Sequence, residues 1–315
     1  RRGLAVFNAP FSNTRSVAEL TIAEIVALHR RLGDRSRELH EGIWRKSAAG
    51  AHEVRGRTLG IVGYGHIGSQ VSVLAEAFGM RVIYFDVDSK LAIGNARPVD
   101  SLAQLLAESD VVSIHVPDEP STRNLIGISE IGRMRPDAML INNARGSVVD
   151  LDAVAEALRV GRLGGVAIDV YPSEPRRNDD PFSTPLAGLP NVILTPHIGG
   201  STEEAQAAIA RDAASKLGRY LTEGSTRRSA SVPEVDLPSP RPDRHRILHF
   251  HRNVPGVLGR MHTLLAEIDA NITAEYLQSD PEVSYVILDI ESDAIEEVAA
   301  RMRSIPETIR MRTLS

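Results

Sequence analysis

Apolar residues along the first two thirds of the chain follow two alternating periods. Residues 14–41 carry them at helical spacing, which predicts one long helix, or two helices with a break at Gly33. From Thr58 onward, short continuous apolar runs alternate with helical patterns. The predicted strands are 58–62, 81–86, 110–117, 138–145, 165–170 and 191–196, and the predicted helices between and after them are 69–79, 101–109, 129–134, 150–161 and 201–224. This alternation is typical of a parallel sheet that is covered by helices on both faces.

The composition changes after residue 224. Residues 225–244 are rich in proline, serine and arginine and show no apolar period, which indicates a linker. The remaining residues, 245–315, read strand, helix, strand, strand, helix, strand. That order predicts a ferredoxin-like (βαββαβ) unit.

Composition and charge narrow the class of protein. A length of 315 residues predicts two or three domains, and a net charge of −5 argues against nucleic acid as a partner. The chain has no cysteine, which excludes disulfides and cysteine nucleophiles. No residues show the spacing of metal ligands, and no apolar run reaches the ~20 residues that span a bilayer. We therefore expect a cytoplasmic protein without a metal or a membrane contact.

A glycine-rich loop follows the first predicted strand. Gly63, Gly65 and Gly68 form a G-x-G-x-x-G pattern that opens a helix, and the next strand ends in Asp86. In this context the glycines permit a tight turn and close approach of a pyrophosphate, while the acidic residue binds ribose hydroxyls. The carboxylate would repel a 2′-phosphate, so NAD is favoured over NADP. The alternative is an ordinary strand–helix turn, with Asp86 as a cap.

Polar residues also stand at the ends of three later strands. Arg145 follows one strand, Asp169 ends the next with Glu174 just beyond it, and His197 follows the last. Ligands of such sheets lie at the carboxyl ends of the strands. There, an arginine can bind a carboxylate through two hydrogen bonds and a histidine can exchange a proton with a hydroxyl. Each residue alone also fits an ordinary structural role, but their convergence favours the chemistry of a 2-hydroxy acid.

Five stretches together resemble a known family. The stretches "NAPFSNTRSVAE", "GIVGYGHIGSQ", "NNARGSVVD", "AIDVYPSEP" and "LTPHIGGSTEEAQ" are similar to those of the D-isomer-specific 2-hydroxyacid dehydrogenases that carry a C-terminal ACT domain. The resemblance implies that Arg145 binds the substrate carboxylate and that His197 is the acid/base, with Glu174 as its partner. It also implies NAD contacts from His66, Ile67, Asn143, Ala144, Arg145, Asp169, His197, Ile198, Gly199 and Gly200, besides the three glycines and Asp86.

The resemblance also implies a regulatory site. His251 and Asn253 follow the first strand of the ACT unit, and Asn271 precedes its second strand. In the family, such residues form an L-serine site between ACT domains of two subunits, so a homo-oligomer, a dimer or a tetramer, is expected. Asn271 could instead be a turn residue only.

The resemblance suggests a reaction and a division of the chain. The expected reaction is the NAD-dependent oxidation of 3-phospho-D-glycerate to 3-phosphohydroxypyruvate, the entry to serine synthesis. The expected division is a substrate-domain remnant at 1–10, a NAD-binding Rossmann domain at 11–198, a returning helix and substrate-domain segment at 199–232, a linker at 233–244, and the ACT domain at 245–315. Because the segment that begins the family members has no counterpart here, an N-terminal truncation is expected. Another substrate such as 2-hydroxyglutarate, or a non-catalytic NAD- and amino-acid-binding module, stays an alternative.

Overall fold

The computed structural model describes residues 2–314, which form two compact units. Residues 11–206 make up the first unit, and the described residues of 1–10 and 207–315 make up the second. The division after residue 206 falls within a long helix, α7 (Glu203–Glu223), whereas the sequence predicted that the nucleotide-binding domain ends at 198. The predicted five-part division stays a prediction.

The first unit is built on a parallel sheet. Its strands run in the order β3-β2-β1-β4-β5-β6-β7. The strands are β1 (Thr58–Val62), β2 (Arg81–Phe85), β3 (Arg97–Pro98), β4 (Val111–Ile114), β5 (Ala138–Asn142), β6 (Leu163–Ile168) and β7 (Val192–Leu194). Strand β1 pairs with β2 on one side and with β4 on the other, so the chain reverses its direction across the sheet beside β1. Ligands of open α/β sheets bind at this kind of position.

Helices cover both faces of this sheet. They are α1 (Thr14–His29), α2 (Leu32–His40), α3 (His66–Ala77), α4 (Leu102–Glu108), α5 (Ile128–Arg133) and α6 (Leu151–Arg159). One apolar cluster joins Leu105, Ile131 and Val154 of α4, α5 and α6 to the sheet, and the other joins Ile25 and Val71 of α1 and α3 to its opposite face. The predicted doubly wound α/β architecture is confirmed.

The predicted break in the first helix lies at a different residue. Helix α1 ends at His29 and α2 begins at Leu32, so Gly33 lies inside α2. The break is at Arg31, whose φ of 50° places a non-glycine residue in the left-handed region. A glycine is the usual residue for such a conformation, and this is why the sequence pointed to the wrong position.

The second unit contains the predicted βαββαβ fold. Its strands are β8 (His245–Arg252), β9 (Asn271–Ser279), β10 (Val283–Glu291) and β11 (Thr308–Leu314), and its helices are α8 (Val257–Glu267) and α9 (Ile295–Arg303). The antiparallel sheet has the order β11-β8-β10-β9. Met261 and Met302 pack the two helices onto one face, while Val235 covers Phe250 and Tyr285 on the other.

A buried ion pair joins two strands of the second unit. The guanidinium of Arg246 is 1% exposed and donates two hydrogen bonds, of 2.6 and 2.7 Å, to the carboxylate of Asp289. It also donates to the carbonyl oxygens of Glu223 and Pro238. With all these partners the buried charge is compensated, and Arg246 connects the end of α7 and the predicted linker to the start of β8.

Candidate active site

The glycine loop forms the turn between β1 and α3. Gly63 has φ 90°, and a Cβ there would lie 2.7 Å from the carbonyl oxygen of His115. A Cβ on Gly68 would collide with the carbonyl oxygen of Gly63, so this glycine lets α3 approach β1. A Cβ on Gly65 would meet nothing within 4 Å, so the space in front of this residue is open. The N-terminal turn of α3, which begins with His66 and Ile67, thus faces a free space that suits a pyrophosphate.

Asp86 lies at the carboxyl end of β2, next to the glycine loop. Its Oδ2 accepts a hydrogen bond of 2.8 Å from the backbone N–H of Tyr64, and its Oδ1 accepts one of 2.9 Å from Asp88. These bonds fix an acidic group at the position where the ribose of a dinucleotide is held in such folds. The loop and Asp86 therefore fit NAD, which would bind along this edge of the sheet.

Asp169 organises the segment that carries His197. It is 1% exposed, and its Oδ1 accepts hydrogen bonds from the Thr195 hydroxyl (2.6 Å) and the N–H of Ile198 (2.8 Å). Its Oδ2 accepts from the N–H of Gly199 at 2.7 Å. Asp169 thus holds the loop between β7 and α7 in place. A contact of Asp169 with NAD, which the family resemblance implies, would use the remaining lone pairs of the carboxylate.

His197 and Glu174 are brought into direct contact. Nδ1 of His197 lies 2.8 Å from Oε2 of Glu174, and the two side chains are 51% and 35% exposed. A carboxylate can only accept, so Nδ1 carries the proton and Nε2 is left for another group. His197 has φ 55°, a conformation that is uncommon for non-glycine residues and is often found at functional sites.

The Glu174 carboxylate is stabilised in its charged form. Partial burial raises the pKa of Glu174, but hydrogen bonds from His197 and from the N–H of Tyr171 lower it, as does the charge of Arg145, and the net pKa is lowered. Glu174 is therefore an anion at neutral pH, next to the imidazole. Arg145 is therefore close enough to this pair for its charge to act on the carboxylate.

Arg145 stands at the rim of the sheet, after β5. Its side chain is exposed, and Nη1 donates to the carbonyl oxygen of Ala144 at 2.6 Å. Its carbonyl oxygen accepts from Asn142 Nδ2 at 2.9 Å, which shapes the loop before it. A cavity of about 540 Å³ lies beside the acid–base pair and is lined by Tyr171, Glu174, Phe182, Thr195 and His197 among others.

The remaining predicted cofactor residues occupy two different environments. Ile198, Gly199 and Gly200 form the loop that Asp169 holds, and Gly200 lies against Asn13, which leaves no room for a Cβ. The side chain of Asn143 points inward instead of toward the rim: its Nδ2 donates to Glu24 of α1 at 2.7 Å. Any cofactor contact by Asn143 or Ala144 would therefore involve the backbone.

Sequence reasoning missed three residues around this site. Glu24 is buried in the interior of α1, where a lone charged residue within an apolar period gave no signal. Thr195 gave no signal either, although its hydroxyl binds Asp169. Phe11 packs on His66 with ring centroids 4.0 Å apart, and the motif "NAPFSNT" marked this segment without assigning it a contact.

The predicted effector residues do not converge within one chain. His251 is 3% exposed and lies near the end of β8, where Asn253 Nδ2 donates to the carbonyl oxygen of Asp280 at 2.8 Å. Asn271 begins β9 at the opposite end of the sheet, where it donates to Glu291. A site that uses all three residues therefore needs a second copy of the unit.

Two kinds of feature are absent from the described residues. Within residues 2–314, no group of three or more His, Cys, Asp or Glu side chains is placed to hold a metal ion. None of the helices in this part of the chain has the length and apolar character that crossing a bilayer requires.

A dinucleotide-binding sheet whose rim carries a histidine–carboxylate pair defines a nicotinamide-dependent dehydrogenase. The family model of the NAD-binding domain of D-isomer specific 2-hydroxyacid dehydrogenases matches residues 22–199, and that of the AHAS small subunit-like ACT domain matches residues 247–310. The chain belongs to the D-isomer specific 2-hydroxyacid dehydrogenase family. It is an oxidoreductase, and its cofactor is NAD.

Relatives and solved structures agree with this assignment. D-3-phosphoglycerate dehydrogenase of Haemophilus influenzae is 50% identical over 313 residues, which are 99% of this chain and 76% of that protein. The enzyme of the same name from Escherichia coli K12 is 50% identical over 100% of this chain and 77% of its own length. The NAD-complexed D-isomer specific 2-hydroxyacid dehydrogenase of Lactobacillus delbrueckii is 30% identical, with a TM-score of 0.67 over 72% of each chain.

Proposed function

We propose that this protein interconverts 3-phospho-D-glycerate and 3-phosphohydroxypyruvate with NAD(H). The observation that carries the reaction class is the 2.8 Å contact between His197 Nδ1 and Glu174 Oε2 at the rim of the NAD-binding sheet. The choice of substrate is based on the relatives, which are D-3-phosphoglycerate dehydrogenases that are 50% identical over nearly the whole chain.

The proposed proton transfer uses the free nitrogen of His197. When bound, NAD supplies the acceptor for a hydride, which is the hydrogen at C2 of the hydroxy acid together with its bonding electron pair. As the C2–H bond breaks, the C2 hydroxyl loses its proton to Nε2 and a C=O bond forms. The imidazolium that results is stabilised by the Glu174 anion on Nδ1, and reduction of the oxo acid runs the same steps backward.

Arg145 would hold the substrate for this transfer. An exposed guanidinium at the rim, whose charge acts on Glu174, can form a two-pronged contact with the C1 carboxylate. Such a contact orients C2 relative to the imidazole. Its bond to the carbonyl oxygen of Ala144 uses only one of its donors, so the other donors are free for a carboxylate.

A different hydroxy acid is the second candidate for the substrate. Solved structures of similar fold include a D-lactate dehydrogenase of Aquifex aeolicus, 32% identical with a TM-score of 0.63, and a glyoxylate reductase, 30% identical with a TM-score of 0.65. Proteins of similar fold thus act on more than one acid. 2-Hydroxyglutarate stays among the alternatives for this chain.

We further propose that L-serine regulates the enzyme through the ACT unit. Residues His251 and Asn253 at one end of the sheet and Asn271 at the other would meet across two copies of the chain. The proposal therefore includes a homo-oligomer, a dimer or a tetramer, in which one copy supplies the first two residues and its neighbour supplies the third.

The test is NADH oxidation by the full-length protein with a panel of oxo acids, in the presence and absence of L-serine. We expect 3-phosphohydroxypyruvate to give the highest kcat/KM, and L-serine to lower its rate. A higher kcat/KM with 2-oxoglutarate, pyruvate or glyoxylate would reject the proposed substrate. Unchanged rates with L-serine would reject the proposed effector but not the reaction.

A further inference from the structure

A carboxyl group is buried beneath the rim loop without a positive partner. Glu24, on α1, is 3% exposed, and its Oε2 accepts a hydrogen bond of 2.7 Å from Nδ2 of Asn143. The same Nδ2 lies 3.1 Å from the Thr21 hydroxyl, and that hydroxyl donates to the carbonyl oxygen of Val17. No cation is among the polar partners that hold this carboxyl.

Two oxygens of this cluster are left over. Oε1 of Glu24 and Oδ1 of Asn143 are both buried, and neither has a hydrogen-bond partner. The Glu24 carboxyl and the Asn143 amide already form one hydrogen bond, through Oε2 and Nδ2. Oε1 and Oδ1 are the other polar atoms of the same two groups. A proton on Oε1 would make it a donor for Oδ1, and the acid and the amide would then form a two-point pair. Buried polar atoms are rarely left unpaired, so the cluster favours this form.

The electrostatic surroundings also favour a neutral carboxyl. Burial raises the pKa of Glu24 to about 7, the bond from Asn143 lowers it, and the negative charge of Asp169 at the end of β6 raises it further. Tyr171, whose own pKa is raised to about 12, is the other titratable group that interacts with Glu24, and it is neutral at physiological pH. A second anion next to Asp169 would be unfavourable.

The pairing lies directly under the proposed substrate-binding loop. Asn143 is the second residue before Arg145, and its side chain connects this loop to α1. The loop is also held by the side chain of Asn142. Its Nδ2 donates to the carbonyl oxygen of Arg145, and its Oδ1 accepts from the N–H of Ala144. With Asn143 fixed to Glu24 and Asn142 fixed to the loop itself, the position of the Arg145 backbone is set at two points.

We propose that Glu24 is a positioning residue that, as a neutral acid, pairs with the Asn143 amide and thereby fixes the Arg145 loop for substrate binding. The inference rests on the proposed role of Arg145 in holding the carboxylate. It does not place Glu24 in contact with substrate or cofactor.

The test compares Glu24→Gln, Glu24→Ala and Asn143→Ala in the full-length protein. Glutamine can form the same two bonds as a protonated glutamate, so we expect Glu24→Gln to keep the KM for the oxo acid within about twofold of the parent. Glu24→Ala and Asn143→Ala should each raise it about tenfold, while the Kd for NADH changes less than twofold. Glu19→Ala, at an exposed position on the same helix, is the matched control.

Infrared spectroscopy supplies a readout that does not depend on turnover. At pH 6 the parent should show the C=O stretch of a buried protonated carboxyl, and this band should be missing in Glu24→Gln. A parent without the band, or a Glu24→Gln variant as impaired as Glu24→Ala, would overturn the proposal. A parent that shows the band but does not reduce 3-phosphohydroxypyruvate would instead reject the proposed substrate and leave the pairing supported.

Discussion

Each unit of the protein buries a titratable side chain among neutral partners, and the two respond to burial in opposite ways. Glu24 in the first unit contacts an amide, and His249 in the second, which is 0% exposed, contacts the Thr308 hydroxyl at 2.8 Å and His251 at 3.3 Å. Burial raises the pKa of Glu24 to about 7 and lowers that of His249 to about 4. In both cases burial shifts the pKa in the direction that favours the uncharged form.

The active-site histidine shows what a different environment does. His197 is half-exposed and has the Glu174 carboxylate on Nδ1, whereas His249 is buried beside a second imidazole. His197 can accept a proton because the Glu174 carboxylate stabilises the imidazolium. Charging His249 would cost a large desolvation free energy. The environment of His197 therefore suits proton transfer, whereas that of His249 suits a neutral side chain in the core.

The largest effect should come from removing the proton carrier. In the full-length protein, His197→Gln should lower kcat for NADH oxidation by about a thousandfold, because general acid–base catalysis is lost. The Kd for NADH should stay within about twofold. Stopped-flow turnover and a fluorescence titration measure the two quantities, and His249→Gln is the control that should keep kcat.

The stability of the second unit should fall in acid because of His249. Its folded pKa of about 4 lies below the unfolded value of 6.5, so the stabilisation is present above pH 6.5 and is lost as the pH falls toward 4. The loss is of order 3 kcal/mol. Hydrogen exchange of peptides from β8 to β11 follows it as a function of pH, and His249→Gln should flatten the curve; an equal slope in that variant would contradict the assignment.

The first unit should respond to pH in the opposite direction. The folded pKa of Glu24, about 7, lies above the unfolded value of 4.5, so its contribution is present below pH 4.5 and is lost as the pH rises to 7. The expected loss is of order 3 kcal/mol before other groups are counted. Hydrogen exchange of peptides from α1, followed as a function of pH in the parent and in Glu24→Gln, measures this loss of stability. A parent and variant with the same slope between pH 4.5 and 7 would show that Glu24 is ionised in the fold.

Loss of a helix cap should have a smaller effect that does not depend on pH, and it serves as a reference for the two pH-dependent stability changes. Ser101 caps α4, and its Oγ accepts from the N–H of Gln104 at 3.2 Å. Ser101→Ala should destabilise the first unit by about 1 kcal/mol, equally at pH 5 and pH 8. A pH-dependent loss in this variant would mean that the exchange measurement reports something other than the stability of the unit.

The sequence predicted the two sheets well because both depend on local patterns. Continuous apolar runs marked the buried parallel strands, and the order of elements after the linker marked the βαββαβ unit. The rim residues followed from a general rule, since the ends of parallel strands meet at one edge. The contact between His197 and Glu174 was therefore within reach of sequence reasoning.

Features that depend on tertiary contacts were beyond that reasoning. The break between α1 and α2 falls at Arg31 because the local fold imposes a left-handed residue there, while Gly33 fits a helix. The inward turn of Asn143 depends on Glu24, which lies 119 residues earlier in the chain. The opposite placement of Asn253 and Asn271, by contrast, follows from strand direction, because β8 and β9 both pair antiparallel with β10 and are therefore parallel to each other.

The protonation pattern of the two histidines, measured in one NMR experiment, tests whether His197 is the proton carrier. Nδ1 of His197 should carry the proton that Glu174 accepts, and at alkaline pH its Nε2 should be free. The Thr308 hydroxyl donates to the carbonyl oxygen of Met302 at 3.1 Å, so Nε2 of His249 should carry the proton there, and His249 should stay neutral at pH 5. We predict opposite tautomers, assigned with His197→Gln and His249→Gln. A proton on Nε2 of His197 at alkaline pH would contradict the assignment of His197 as the proton carrier, and a proton on Nδ1 of His249 would contradict only the assignment of the Nε2–H tautomer to His249.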